Sequence, residues 1–401
     1  MNFIRDNIVK IMFGLIAVII IIVVVVACTK RPRTVVDDSG YLEMENKLQN
    51  AAIRLTQKNK TLLPKITNNT KKIQIDTLIE QKLINEFHAV EDRSVKCTGY
   101  VDIIKKYEDK EEYRYTPYIK CGKYYETKTI SDYIISNEPI VNSGQGLIQV
   151  EVKKDPQDIQ EKDEKTEEKY YSYYYKGEYP NNYILLDQRL YRIIEITEDG
   201  NLKVVSTNST KSSYVWDNRF NTEKQRYVGI NDFDKSRIKQ NLDFIYSNTN
   251  VENGEVFFSD TEKEYIVGHD FCVGKRSQND KAINNNSECT EKENLMVGLI
   301  SIADYYRVST STGCTEVGKN ECNNYNYLFS LVPGKDIVLA TLTGNKDDTF
   351  NIYTIYYGQL SLKRANMGFR LYPVIYLDKN ILYKSGNGSA KNPYVVRWFY
   401  V

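Results

Sequence analysis

Eighteen apolar residues in a row, Ile11 to Cys28, dominate the start of this 401-residue chain and constrain everything after them. Wound as a helix rising 1.5 Å per residue, such a run comes close to crossing a hydrocarbon core of about 30 Å. The apolar stretch of a cleaved secretory signal is shorter, about 7–15 residues. Length therefore predicts a retained transmembrane anchor at 11–28, after a cytoplasmic segment at 1–10 that carries Arg5 and Lys10.

The end of the run leaves an alternative open. Val25-Val26-Ala27-Cys28 has the look of a lipoprotein cleavage site, with Cys28 as the candidate lipidated residue. Either route ties the chain to a membrane, with residues 29–40 as a short polar linker. Flanking charge gives a conflicting orientation. Lys30, Arg31 and Arg33 would hold the following residues in the cytoplasm by the positive-inside rule.

Cysteine parity argues the other way. Outside Cys28 there are six cysteines, at 97, 121, 272, 289, 314 and 322. They fall in sequence-local pairs, with no C-x-x-C or Cys/His metal spacing to explain them. The nearest-neighbour connectivity, Cys97–Cys121, Cys272–Cys289 and Cys314–Cys322, closes loops of modest length, each adding roughly 2.5–3.5 kcal/mol in the chain-entropy model. Disulfides persist in oxidising compartments. The expectation is a protein of the cell membrane with the bulk of its chain extracellular.

Net charge is +1, from 54 basic and 53 acidic residues, so no global field favours nucleic acid as a partner. Along the chain, Met44, Leu48, Ala51, Ala52 and Leu55 mark one face of an amphipathic helix, capped near Asp37, Asp38 and Ser39 and ended by Pro64. A second helix is predicted over "IDTLIEQKLINEF", with Thr77 and Glu80 at capping-box spacing. A hairpin clamped by Cys97 and Cys121 follows. These make a helical stalk and small disulfide-clamped head at 41–150. Residues 151–169 hold eight acids and five lysines, and read as a flexible linker or exposed loop.

From Tyr170 the pattern becomes β-rich. "LYRIIEITEDGNLKVVST" reads as a hairpin turning at Asp199-Gly200-Asn201. "DKSRIKQNLDFIY" reads as a helix burying Ile238, Leu242 and Ile245. Strand-like runs recur at 336–343, 350–357 and 369–377, and "PYVVRWFYV" supplies a last strand. The fold class is α+β, dominated by antiparallel sheet.

Those same residues carry a resemblance. "YVWDNRFNTEKQRYVGINDFDKSRIKQNLDFIY", "FCVGKRS", "ECNNYNYLF" and "GFRLYPVIYLDKNILYKSGNGSAKNPYVV" resemble a domain family of unknown function from surface proteins of Firmicutes, over about residues 170–401. That family is similar to the C-type-lectin-like fold, which implies a disulfide-bearing domain with long loops. Many members carry a tryptophan-rich strand where this chain reads "IVLATLTGN". Trp216, Asp217, Arg219 and Arg370 match the family pattern, and are candidates for ligand contact or for core polar pairing. The amino-terminal half resembles pilin-like surface proteins. A prepilin would need Glu at the fifth position after its cleavage glycine, and the fifth residue after Gly14 is Ile19.

Catalytic patterns are missing. No G-x-S-x-G, H-E-x-x-H, Walker or G-x-G-x-x-G motif occurs. His88 and His269 are the two histidines, and His269 stands near a cysteine expected to be oxidised. Asn345, Asp347 and Asp348 lack the ligand series of a calcium loop and read as a solvated turn. Five tyrosines within 170–175 read as strand packing, with an aromatic binding platform as the alternative. The expectation is a membrane-anchored, non-catalytic surface protein without cofactor, binding a glycan or cell-envelope polymer. A structural pilin-like component and an enzyme acting on cell-wall glycan are the alternatives.

Overall fold

A computed structural model describes residues 38–67, 69–106, 108–152, 169–248, 257–329, 331 and 338–397. The anchor at 11–28, the lipidation candidate Cys28 and most of the linker lie outside the described residues. Among the described residues no helix is long and apolar enough to cross a membrane.

The first module forms around α1 (Ser39–Lys58), which buries Leu48, Ala51, Ala52 and Leu55 along the predicted face. Asp38 occupies its N-cap position without a side-chain cap, and the helix ends at Lys58, well before Pro64. α1 packs on an antiparallel sheet ordered β1 (Thr70–Gln74), β2 (Thr98–Lys105), β3 (Tyr113–Cys121) and β4 (Tyr125–Glu126). Cys97 and Cys121 are joined at the base of the β2–β3 hairpin, as their spacing predicts. The second helix is shorter than its apolar pattern suggests. α2 spans only Ile75–Glu80, with Gln74 rather than Thr77 at its N-cap. Lys82 adopts φ 56°, and the N–H groups of Lys82 and Leu83 donate back to Ile79 O and Leu78 O. This is a left-handed helix stop of the kind glycine usually makes.

The second module is α+β and mostly antiparallel sheet. Its elements are α3 (Ile130–Asn137), β5 (Gly146–Val152), β6 (Tyr170–Lys176), β7 (Tyr183–Leu186), β8 (Arg189–Ile196), β9 (Leu202–Ser206), β10 (Tyr214–Val215), α4 (Arg237–Ser247), α5 (Asp260–Lys263), β11 (Ile266–Val267), β12 (His269–Cys272), β13 (Lys275–Arg276), β14 (Lys292–Leu295), α6 (Ile302–Arg307), β15 (Val338–Asn345), β16 (Asn351–Tyr356), β17 (Gln359–Arg364), β18 (Gly368–Phe369), β19 (Val374–Leu377), β20 (Leu382–Ser385) and β21 (Tyr394–Arg397). The largest sheet runs β11-β19-β9-β8-β7-β21-β20, with β6 also on β8 and β5 on β6. A second runs β13-β15-β16-β17. The last strand lies parallel to β7, against the early part of the module.

The two cores divide earlier than the sequence suggests. Ile130, Ile134 and Leu147 pack in the larger core, and β5 pairs with β6 from Gly146 to Val152. The boundary expected at 150 is therefore corrected to about residue 128. The charged stretch at 151–169 is the connection of a hairpin within the second module rather than a link between modules, and its residues 153–168 lie outside the described residues. Strand pairing through Glu151 and Val152 carries the sheet into the charged run, which hydropathy alone marks as loop.

Where the modules meet, the contacts are polar and largely buried. Glu45 of α1, with no exposed surface, accepts from Arg397, Tyr125 and Thr127. Arg114 donates to Asp378 and to Glu264 O, and Tyr118 donates to Asn380 at 3.0 Å.

A row of side chains crosses the large sheet beneath α6. Tyr174, Glu195, Lys203 and Tyr376 stand directly opposite one another on β6, β8, β9 and β19. Lys203 Nζ donates to Asp304 at 2.6 Å, and Arg307 bonds both Asp304 at 2.8 Å and Glu195 at 2.6 Å. Burial opposes ionisation of Asp304, but Lys203 and Arg307 outweigh it and hold the carboxyl well below the ordinary range. Burial raises the Tyr376 phenol to about 12. His269 stacks on Tyr376 at 3.7 Å, and burial lowers its pKa.

A cleft between two disulfide-closed loops

The second sheet carries a cleft of about 320 Å3. Its floor is Leu360 and Leu362 of β17 beside Tyr353 of β16, with Tyr353 directly opposite Leu362. One wall is the segment after β13, contributing Gln278, Asp280 and Lys281. The other is the loop Glu316–Lys319. Apolar floor, polar rim and this volume are what a small-molecule or oligomer site requires.

Each wall is a cysteine-closed loop. Cys272–Cys289 closes the first with Cα atoms 4.4 Å apart, and Cys314–Cys322 closes the second at 4.5 Å. Both bonds were legible in the cysteine spacing. Arg276, wholly buried, organises the first wall from inside. It binds Glu288 at 2.9 and 3.1 Å and donates to the carbonyls of Asp280, Ala282 and Asn284. A buried guanidinium with its carboxylate and three carbonyls has its donors spoken for, so this loop is held by charge-assisted bonds. Val317 N–H donates to Lys281 O at 2.9 Å and ties the walls together.

The rim mixes used and available groups. Burial works against ionising Asp280, yet the Ser287 hydroxyl, the Ala282 N–H and Arg276 hold its carboxyl below the usual range. Glu316 lies 3.7 Å from Lys319, which also donates to Thr315. Lys281 and Gln278 extend into solvent. On the floor, Tyr353 is 3% exposed, and its hydroxyl has no hydrogen-bond partner among the described residues. An orphaned buried hydroxyl is costly.

Trp216, Asp217, Arg219 and Arg370 do not line this cleft. Trp216 has no exposed surface, and its indole N–H donates to Thr341 O at 3.0 Å. Asp217 accepts from Arg219 Nε at 3.0 Å and from Ile230 N–H at 2.7 Å. Trp216 and Asp217 are buried, and Arg219, partly exposed, also donates to Asp232 O at 3.0 Å. Arg370 is exposed between β18 and β19. "IVLATLTGN" includes β15, which is buried from Leu339 to Thr343. The Asn345–Asp348 segment is a self-bonded turn, Asp348 accepting from Phe350 and Asn351 N–H and from Asn345 Nδ2. The tyrosine run of β6 is buried or half-buried on both faces, which fits strand packing. His88 sits after α2, in an isolated bridge to Lys96.

Among the described residues no group of three or more His, Cys, Asp or Glu side chains is arranged to hold a metal ion. Sequence reasoning missed Tyr353, Leu360, Leu362, Gln278, Lys281 and Lys319. The signal available was that the long segments between paired cysteines had to be loops, and that loops carry function. No protein-family model, curated protein or solved structure matches the chain.

Proposed function

We propose that this chain is a membrane-anchored protein of the bacterial cell surface whose second module, a non-catalytic lectin-like domain, binds a cell-envelope glycan in the cleft over β16 and β17. The observation that carries the reading is the pairing of two disulfide-closed walls around an apolar floor with a rim of both charge signs. Disulfides on both walls suit an oxidising exterior. A rim holding Asp280, Lys281, Glu316 and Lys319 suits a neutral polar ligand better than a polyanion. The last strand returning beside β7, together with long loops, fits the lectin-like resemblance.

The test is binding of the full chain in detergent to an array of purified cell-envelope polysaccharides. Saturable binding is expected, lost at least tenfold on Leu362→Trp, which fills the floor. Absence of binding across the array contradicts the reading. One observation favours a second reading, a structural pilin-like envelope component: α1 lies along an antiparallel sheet that follows it in sequence. Filaments seen by electron microscopy of the extracted protein would support that reading instead.

A further inference from the structure

A groove of about 330 Å3 opens where the two modules meet. Ile104 of β2, Ile266 and Val267 of β11, and Met296, just after β14, give it an apolar lining. Lys105, Lys106, Arg114 and Lys263 line it as well. Volume and mixed lining are those of a ligand site, and the cations decide which ligand, because they are not equally satisfied.

Two of them are committed. Lys106 pairs with Glu264 at 3.1 Å, and Lys105 donates to the carbonyls of Lys65 and Glu108 at 3.3 and 2.9 Å. Arg114, only 9% exposed, is committed in part. Its Nη1 donates to Glu264 O at 2.7 Å, its Nη2 donates to Asp378, and its guanidinium lies 5.1 Å from the Tyr265 ring centroid. Its buried Nε has no hydrogen-bond partner among the described residues. Lys263 is paired most weakly. Its side chain is 11% exposed, yet its Nζ lies 4.0 Å from Asp260 Oδ1 and 5.9 Å from the Tyr246 ring centroid. Glu264, whose carbonyl holds Arg114, directly follows Lys263, so the two cations are anchored one residue apart on the same groove. A desolvated ammonium and a desolvated guanidinium N–H are both stabilised by a carboxylate.

The backbone supplies the second element. β11 is the edge strand of the largest sheet, paired on one side with β19. Asp378 N–H donates to Tyr265 O at 2.8 Å, and the next pair in the register is Ile266 with Leu377. By the alternation of an antiparallel ladder, the N–H and C=O of Ile266 turn away from β19 toward the open edge. A sheet edge beside a pocket is the template on which an extended peptide pairs.

We propose that the groove between the modules binds the carboxyl-terminal end of a peptide in extended form. The peptide carboxylate lies against Lys263 and Arg114 Nε, its last, aliphatic side chain against Ile104, Val267 and Met296, and its backbone along β11. Glu108 and Asp109, exposed at the β2–β3 turn and lining the same groove, favour a basic residue upstream of that end. The groove shares no lining residue with the cleft over β16 and β17, and the proposal does not rest on the glycan reading.

The experiment measures binding of the full chain in detergent to fluorescent hexapeptides that end in Val, Leu or Ile and carry Lys or Arg upstream, each as the free acid and as the carboxyl-terminal amide. Saturable binding of the free acids is expected, weakened at least about tenfold by amidation. This contrast lies in the ligand and holds whatever a variant does to folding. Lys263→Gln should weaken the acid about tenfold and leave the amide unchanged, while Lys263→Arg, which keeps the charge, should bind the acid as the wild type does. N-methylation at alternate peptide residues should weaken binding in one register and spare it in the other, as pairing with a single edge strand requires. Leu362→Trp should leave peptide binding intact, which distinguishes this site from the cleft. Absence of binding across the peptides, or equal affinity for acid and amide, overturns the proposal. Binding of decanoate where no peptide binds would assign the groove to a carboxylate amphiphile and overturn it too.

Discussion

The row beneath α6 and the rim of the cleft draw on the same kinds of charged residue and use them in opposite ways. In the row, Asp304 has no exposed surface, and its two oxygens are taken by Lys203 and Arg307, with Arg307 reaching on to Glu195. At the rim, Lys281 and Gln278 stand in solvent, and the Glu316–Lys319 pair is exposed on both sides. Composition does not distinguish a scaffold from a site here. Burial and completeness of pairing do, because a buried charge that loses its partner is heavily penalised while a solvated one is not.

The largest expected effect follows from breaking the row. Asp304→Asn leaves Lys203 buried without a carboxylate and should cost about 3–5 kcal/mol in urea unfolding at neutral pH. A loss under about 1 kcal/mol would put the row and the rim in the same class. Arg397→Met, which strands Glu45 between the modules, should cost about 3 kcal/mol. It should also separate the unfolding of the two cores if this contact couples them. Replacing Cys314 and Cys322 together by serine should cost about 2.5 kcal/mol by the chain-entropy estimate for a short loop, and should weaken ligand binding through the second wall.

Acid should weaken the row. The folded-state pKa of Asp304 lies below its unfolded value, so its stabilisation is complete above about pH 4 and declines as pH falls toward the folded value. Asp304→Asn should flatten that part of the stability profile, and an unchanged profile would contradict the assignment. The smallest effect belongs to the rim. Lys281→Ala should change stability by less than about 0.5 kcal/mol while altering ligand affinity.

Much of the fold was legible where local pattern and tertiary packing agree. The faces of α1 and α4, the β8–β9 hairpin at Gly200 and the cysteine pairs all follow from spacing. The early stop of α2 was not legible, because Lys82 makes a left-handed turn that sequence signals reserve for glycine. The division between modules was misplaced because β5 runs into a charged segment and is held there by its pairing with Tyr170 and Tyr171. The cleft was beyond sequence reasoning for a different reason. Lys281 and Leu362 are far apart in the chain, and only the packing of two loops on β17 brings them together. Trp216, Asp217 and Arg219 stood out in the sequence, yet the first two are interior and none of the three lines the cleft.

The surface assignment and the stapled walls share one requirement, that the six cysteines beyond Cys28 be oxidised in the protein as cells make it. Trapping thiols with an alkylating agent at the moment of lysis, followed by intact-mass and peptide analysis without reduction, measures this directly. The account predicts no label on Cys97, Cys121, Cys272, Cys289, Cys314 or Cys322, and peptides linked in the pairs seen here. Stoichiometric label on those positions would contradict it, placing the chain in a reducing compartment and leaving both walls unclosed.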